Sequence, residues 1–226
     1  RLSFCYPVVK RSSTTGCYNQ HMQMDFVFQI LILIMSVVVH EVAHGYTASL
    51  LGDQTARYEG RLTLNPLKHL DLFGSFILPF LSYTLGGFIF GWAKPVPYNP
   101  YNLRPGRWSE AQVAIAGPAS NILLALIFSL ILRFGVSGGW ANPAFVQITA
   151  VIVFINILLA IFNLMPIPPL DGSKILFAFL PDKFFYLRNF FERYGLVLVI
   201  IFIFFVWQFI APLSYFLFRI FTGTLL

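Results

Sequence analysis

The sequence predicts an all-α polytopic membrane protein: four full transmembrane helices plus one re-entrant element that can carry an extended β edge. Composition, apolar runs of bilayer length and the placement of positive charge point there. Of 226 residues, 58% are hydrophobic, 18% aromatic and only 11% charged, whereas soluble domains spend about a quarter of their residues on charge. With 26 Phe, a water-soluble globule would expose large apolar patches, which argues against a soluble enzyme or a disordered linker. The net charge of +6 fits basic loops held on the cytoplasmic side. It does not favour nucleic acid, because the cations are spread among loops rather than gathered on one face. Cys5 and Cys17 alone imply no disulfide framework.

Residues 1–24 carry Arg1, Lys10, Arg11, a Ser-Ser-Thr-Thr run and both cysteines, with no apolar stretch fit for a signal-peptide core. They are expected to be a disordered tail or a start-site artefact, Met22 or Met24 being a natural start. Residues 25–226 are expected to form a single domain. Phe26 to Leu51 is the first span, apolar except for Gln29, Ser36, His40, Glu41, His44 and a few small hydroxyl residues, and long enough at about 1.5 Å per residue to cross roughly 30 Å of hydrocarbon. Residues 52–70 read as a polar loop. Leu72 to Ala93 is apolar but broken by Pro79 and Gly86-Gly87 and stopped by Lys94-Pro95-Val96-Pro97. A re-entrant element suits it, because irregular backbone at membrane depth must be covered by protein or line a wet cavity. Ala111 to Phe134, Phe145 to Leu164 and Gly195 to Phe221 are the remaining spans, the last with a kink at Pro212.

Loop charge sets the orientation. Arg57, Arg61, Lys68, Lys94, Arg104, Arg107, Lys174, Lys183, Arg188 and Arg193 lie in three connections, while the turn from Gly135 to Pro143 has no cation. By the positive-inside tendency the first group faces the cytosol. Residues 72–93 must then enter and leave on the cytosolic side. Lys10 and Arg11 would fall outside if they are translated.

The chemistry begins at His40-Glu41-Val42-Ala43-His44. On a helix the two histidines differ by about 40° around the axis and about 6 Å along it, so both imidazoles can converge on one metal ion. Glu41 points beside them. This suits a zinc hydrolase, in which the ion lowers the pKa of water toward roughly 7 and the carboxylate takes the proton during attack on a carbonyl. Membrane depth sharpens the motif: an ionised group there costs at least about 2–3 kcal/mol, which a bound divalent cation offsets. The bland alternative is a histidine pair satisfied by interhelical hydrogen bonds beside a neutral glutamate. Catalytic zinc usually takes three protein ligands. His21 and His69 are candidates for the third but read as ordinary surface histidines. Asp171 is better placed, at the cytosolic end of the fourth apolar block, where prolines stop the helix and Gly172 permits a tight turn. Its bland reading is a solvated or helix-capping aspartate.

Together with Ala116-Gly117-Pro118-Ala119-Ser120-Asn121 and Asn163-Leu164-Met165-Pro166-Ile167-Pro168-Pro169-Leu170-Asp171-Gly172, this motif makes residues 25–226 resemble the site-2 protease family of intramembrane zinc metalloproteases. The resemblance implies one Zn²⁺ per chain held by His40, His44 and Asp171. It implies Glu41 as general base and proton donor, and cleavage of transmembrane protein substrates in regulated intramembrane proteolysis. It further implies that Asn163 helps hold the substrate or the oxyanion, although a buried Asn between helices is often only interhelical glue. There is no room for a PDZ-type domain between the spans, and no cystathionine-synthase-type domain follows the last one. The chain thus resembles the compact prokaryotic branch, a multi-pass protein of the cytoplasmic membrane with its site toward the cytosol.

A substrate helix must unwind to expose its peptide bonds. Gly86-Gly87-Phe88-Ile89-Phe90 and the segment from Gly91 to Pro97 can form an edge against which an unwound strand pairs, or simply a packed plug. Lys94, Arg104 and Arg107 read as anchors for anionic lipid headgroups. Gly117, Pro118 and Asn121 read first as helix packing. The competing class is a multi-pass metal-binding or ion-transporting membrane protein without proteolytic activity.

Overall fold

The computed structural model describes residues 26–69, 71, 77, 94–106, 108–181 and 184–223. They form six α-helices: α1 (Phe26–Leu50), the short α2 (Thr55–Tyr58), α3 (Ser109–Ser137), α4 (Pro143–Asn163), α5 (Asp171–Phe179) and α6 (Phe185–Thr222). No β-strand occurs among the described residues. The expected re-entrant element at 72–93, and with it the Gly86-Gly87 edge, lies outside them, as does the tail. Among the described residues, three helices are long and apolar enough to cross a membrane: Val27–Leu50, Ser109–Ser137 and Pro143–Asn163.

The packing is that of a protein whose solvent is lipid. Buried positions include Ser36, His40, Asn121, Ser129, Thr149 and Asn156, while Leu31, Leu123, Leu130, Phe134 and Phe205 stand exposed. Polar groups turn inward because hydrocarbon offers them no hydrogen bonds. α3 is the hub and packs mainly on α4 and α1. Ala125 and Leu132 of α3, Val146, Ala150, Val153, Ile157 and Ile161 of α4, and Ile210 and Phe218 of α6 make one apolar cluster.

The ends of the elements follow from local chemistry. α1 stops at Leu51-Gly52, where Gly52 takes φ +114°, a conformation strained for a residue with a Cβ. α4 opens with Asn142, whose side chain accepts from the Phe145 N–H at 2.8 Å, followed by Pro143 in the first turn. α6 closes on Gly223 in the left-handed region, its N–H on the Arg219 carbonyl.

Two expectations change. The connection 172–194 is largely helical: α5 occupies its start, and α6 begins at Phe185, ten residues before the apolar run. Arg188 and Glu192, one turn apart and 2.8 Å from each other, support that polar first section. His69 is not a surface histidine: it is 1% exposed and its Nε2 pairs with the Thr63 carbonyl at 2.8 Å. The cation-free turn from Gly135 to Pro143 stands, with Arg133 just before it near the end of α3, where a side chain at Gly223 would meet its guanidinium.

Candidate metal centre and active site

His40 and His44 lie one turn apart on α1 with ring centroids 4.6 Å apart and planes at 86°. Their Nε2 atoms are 3.0 Å from each other, and Asp171 Oδ2 is 3.2 Å from the first and 3.1 Å from the second. All three residues are buried. Asp171 arrives there because α4 ends at Asn163 and the chain folds back through 164–170, with Ser173 Oγ donating to the Leu170 carbonyl at 2.7 Å. Gly172 makes the return possible: a Cβ there would lie 2.2 Å from the Leu164 oxygen and 2.4 Å from that of Met165. Close backbone approach, rather than turn flexibility, is what this glycine supplies.

The donor set fits a zinc ion. His44 Nδ1 pairs with the Val113 carbonyl at 2.7 Å, so in the neutral imidazole the proton sits on Nδ1 and Nε2 carries a lone pair. That lone pair faces a carboxylate oxygen, an arrangement that a cation between them stabilises. The three separations approach the roughly 3.3 Å edge of a tetrahedron with bonds of about 2.0 Å, and two imidazoles with a carboxylate are ordinary zinc ligands. No other group of three or more His, Cys, Asp or Glu with this convergence occurs among the described residues. α3 walls the site with Gly117, where a Cβ would lie 2.4 Å from His44 Nε2 and 2.6 Å from His40 Nε2. The sequence reading assigned Gly117 to helix packing; its neighbours are the imidazoles themselves.

Glu41 is half-buried, and its Oε2 accepts from the Val96 N–H at 2.9 Å. The segment carrying Val96 lies close on α1 because residue 45 is glycine: a Cβ there would come within 2.7 Å of Val96 Cγ1 and 2.6 Å of Leu62 Cδ2. Asp53 fastens the same segment. Its Oδ2 accepts from the Asn99 N–H at 2.7 Å and its Oδ1 from Asn102 Nδ2 at 3.1 Å, with Thr55 donating through N–H and hydroxyl. Burial alone raises this carboxyl's pKa, but the hydrogen bonds from Thr55, Asn99 and Asn102 outweigh it and hold the group below the ordinary carboxylate value. Sequence reasoning missed Asp53. The one available signal was an acidic residue just past the end of α1, before a Thr.

The remaining candidates fall elsewhere. Asn163 is half-buried at the end of α4 and donates its amide to its own helix, at the Leu159 carbonyl 3.0 Å away. His69 pairs within its loop, and His21 lies outside the described residues. Asn121 is wholly buried one turn along α3 from Gly117. Asn156, not singled out by sequence, joins α4 to α1 by donating to Ser36 Oγ at 3.0 Å.

Comparison with known proteins adds an independent line. The family model described as Peptidase family M50 matches residues 28–139 and 135–206. The chain is 39% identical over 192 residues to "Putative zinc metalloprotease YwhC" of Bacillus subtilis (strain 168), covering 83% of this chain and 82% of that one. It is 35% identical over 150 residues to "Putative zinc metalloprotease Rip2" of Mycolicibacterium smegmatis (strain ATCC 700084 / mc(2)155), covering 65% and 55%. Over 160 residues it is 31% identical to "Putative zinc metalloprotease MJ0611" of Methanocaldococcus jannaschii, covering 66% and 72%. No solved structure matches. With the buried His-His-Asp cluster and a family match running from α1 into α6, the chain belongs to peptidase family M50.

Proposed function

We infer that the protein is an intramembrane zinc metalloprotease that hydrolyses peptide bonds within or next to transmembrane helices of substrate proteins. The observation that carries this is the convergence of His40, His44 and Asp171 on one buried point about 9 Å along α1 from its end at Leu50. His40 and His44 through Nε2, and Asp171 through Oδ2, would hold the ion. Zinc, when bound, supplies Lewis-acid chemistry toward a peptide carbonyl and acidifies water. Glu41, adjacent in sequence to the first ligand, takes the proton of the attacking water and delivers it to the leaving amine. The Val113 carbonyl fixes the His44 tautomer. Asn163, with a half-buried amide close before the Pro-rich turn, contacts the unwound substrate backbone.

Four spans and a re-entrant segment remain the architecture that suits this activity. In support, the Lys94 N–H donates to the His69 carbonyl at 2.8 Å, so the two described ends that flank 70–93 meet. α6 contacts both ends of the bundle: a Cβ at Gly195 would lie 2.5 Å from the Pro168 oxygen, and one at Gly223 would meet Arg133. It is therefore long and well enough placed to be the fourth span. Residues 25–226 act as one domain, with the metal-binding end toward the cytosol of a prokaryotic cell. The hypothesis that an unwound substrate pairs with the edge reaching to Pro97 narrows, because Pro95 and Pro97 have no N–H and that of Val96 is taken by Glu41.

Metal analysis paired with cleavage of model transmembrane peptides tests the reading. About one zinc per chain is expected in both the parent and Glu41→Gln, with cleavage in the parent alone. A zinc-free but fully active parent, or full activity in Glu41→Gln, would overturn it. Metal flux into proteoliposomes without cleavage would instead favour the ion-transport class.

A further inference from the structure

We propose that the segment from Lys94 to Arg104 is a positioning strap for Glu41, in which the Val96 N–H aims the carboxylate and Asp53 holds the strap in place. The inference rests on the proteolytic reading above and adds positioning groups outside the metal ligands.

Four backbone N–H groups hold this segment against α1 and the loop that follows it. The Lys94 N–H donates to the His69 carbonyl at 2.8 Å, the Val96 N–H to Glu41 Oε2 at 2.9 Å, the Asn99 N–H to Asp53 Oδ2 at 2.7 Å, and the Arg104 N–H to the Leu51 carbonyl at 2.8 Å. Only one of them reaches the proposed base. Prolines at 95 and 97 leave Val96 as the sole backbone donor of that tripeptide, and proline limits the conformations available to its neighbours, so this donor is directed before any ligand arrives. With Oε2 fixed, Oε1 remains to receive a proton. A carboxylate on a free Glu side chain would sample several rotamers, and holding one near-attack geometry is where such a bond gains rate.

The strap keeps its place through a buried carboxylate remote from the reacting atoms. Asp53 is 0% exposed and takes hydrogen bonds from Asn99 and Asn102 on the strap and from Thr55 beside it. No Lys or Arg pairs with it among the described residues, so its four neutral donors are what stabilise the charge. An isolated buried carboxylate is costly, and two of its four donors belong to the segment that carries Val96. Gly45 completes the arrangement, since a side chain there would push Val96 away from α1.

The test replaces the Val96 amide with an ester by α-hydroxy acid incorporation into the full chain, with valine incorporated at position 96 by the same route as the control that keeps the N–H. The ester should lower kcat about ten- to a hundredfold, the worth of one hydrogen bond to a charged group, with KM and zinc content unchanged. The valine control should turn over like the parent. Asp53→Ala should lower kcat similarly, and combining it with the ester should add little, because both act through the same bond. A readout independent of turnover is hydrogen exchange in metal-free protein: the peptide 94–97 holds only two backbone amides, and Glu41→Ala should speed exchange there. An ester enzyme with unchanged kcat, unaltered exchange in Glu41→Ala, or loss of zinc in the ester enzyme would overturn the proposal while leaving the protease reading intact. Additive effects of ester and Asp53→Ala would overturn the role of Asp53. A parent that cleaves no peptide would overturn both.

Discussion

Gly117 has only hydrogen where a methyl would collide with both imidazoles, so Gly117→Ala should disturb the centre without replacing His40, His44 or Asp171. Overpacking of this kind costs about 1–3 kcal/mol, equivalent to roughly ten- to a hundredfold weaker zinc affinity. Competition with a zinc chelator measures it, and affinity unchanged within twofold would contradict the close approach. Asp53 gives a pH prediction. Its pKa is lowered in the folded state, so the ionised form favours folding. That contribution is complete above the unfolded value of about 3.9 and is lost as pH falls through the lower folded value. Thermal unfolding of the parent should therefore lose stability below about pH 4, and Asp53→Asn, less stable at neutral pH, should lose less there. Of these residues, His40, His44 and Asp171 were legible in the sequence because their chemistry is rare at membrane depth. Gly117 and Asp53 were not, because what they do depends on which distant segments come near them.

At the scale of elements, α1 and α4 are joined inside the bundle by Asn156 and Ser36. Asn156→Leu removes that bond and should cost about 0.6–1.7 kcal/mol, the usual worth of an interhelical hydrogen bond in lipid. Reversible unfolding in bicelles measures it; no loss, or the same loss when Ser36 is already Ala, would count against the pair. The bilayer-length runs gave α1, α3 and α4 to within a few residues, since hydropathy is read directly from side-chain type. The start of α6 and the whole of α5 escaped, because their helicity rests on tertiary packing and on local pairs such as Arg188 with Glu192, which a search for apolar runs passes over. The polar character of residues 52–70 suggested a solvated loop, yet Asp53, Arg61 and His69 are buried there. Backbone carbonyls hold the last two: Arg61 donates to Lys68, and His69 pairs through Nε2 with Thr63.

For the whole molecule, the metal-binding end and the turn at 138–142 lie at opposite ends of α3. With Cys5 and Cys17 replaced by Ser, single cysteines at Gly60 and Gly106 should label only from the cytosolic side of sealed vesicles, and one at Gly139 only from the other. The reverse pattern would invert the proposed orientation. Zinc removal should also lower the unfolding temperature, since the ion binds the folded centre; by mass action about 2.7 kcal/mol of stability accompanies free zinc at a hundred times its Kd. The donors come from the first helix and from the start of a fifth that is synthesised long afterwards. A ribosome still working through α4 would therefore have delivered an incomplete coordination sphere, and a truncated or stalled product would carry the His-Glu motif without its proposed carboxylate ligand. Catalytic competence through this proposed ligand set would thus wait on translation past the start of α5, which would spare neighbouring membrane proteins from a half-made hydrolase.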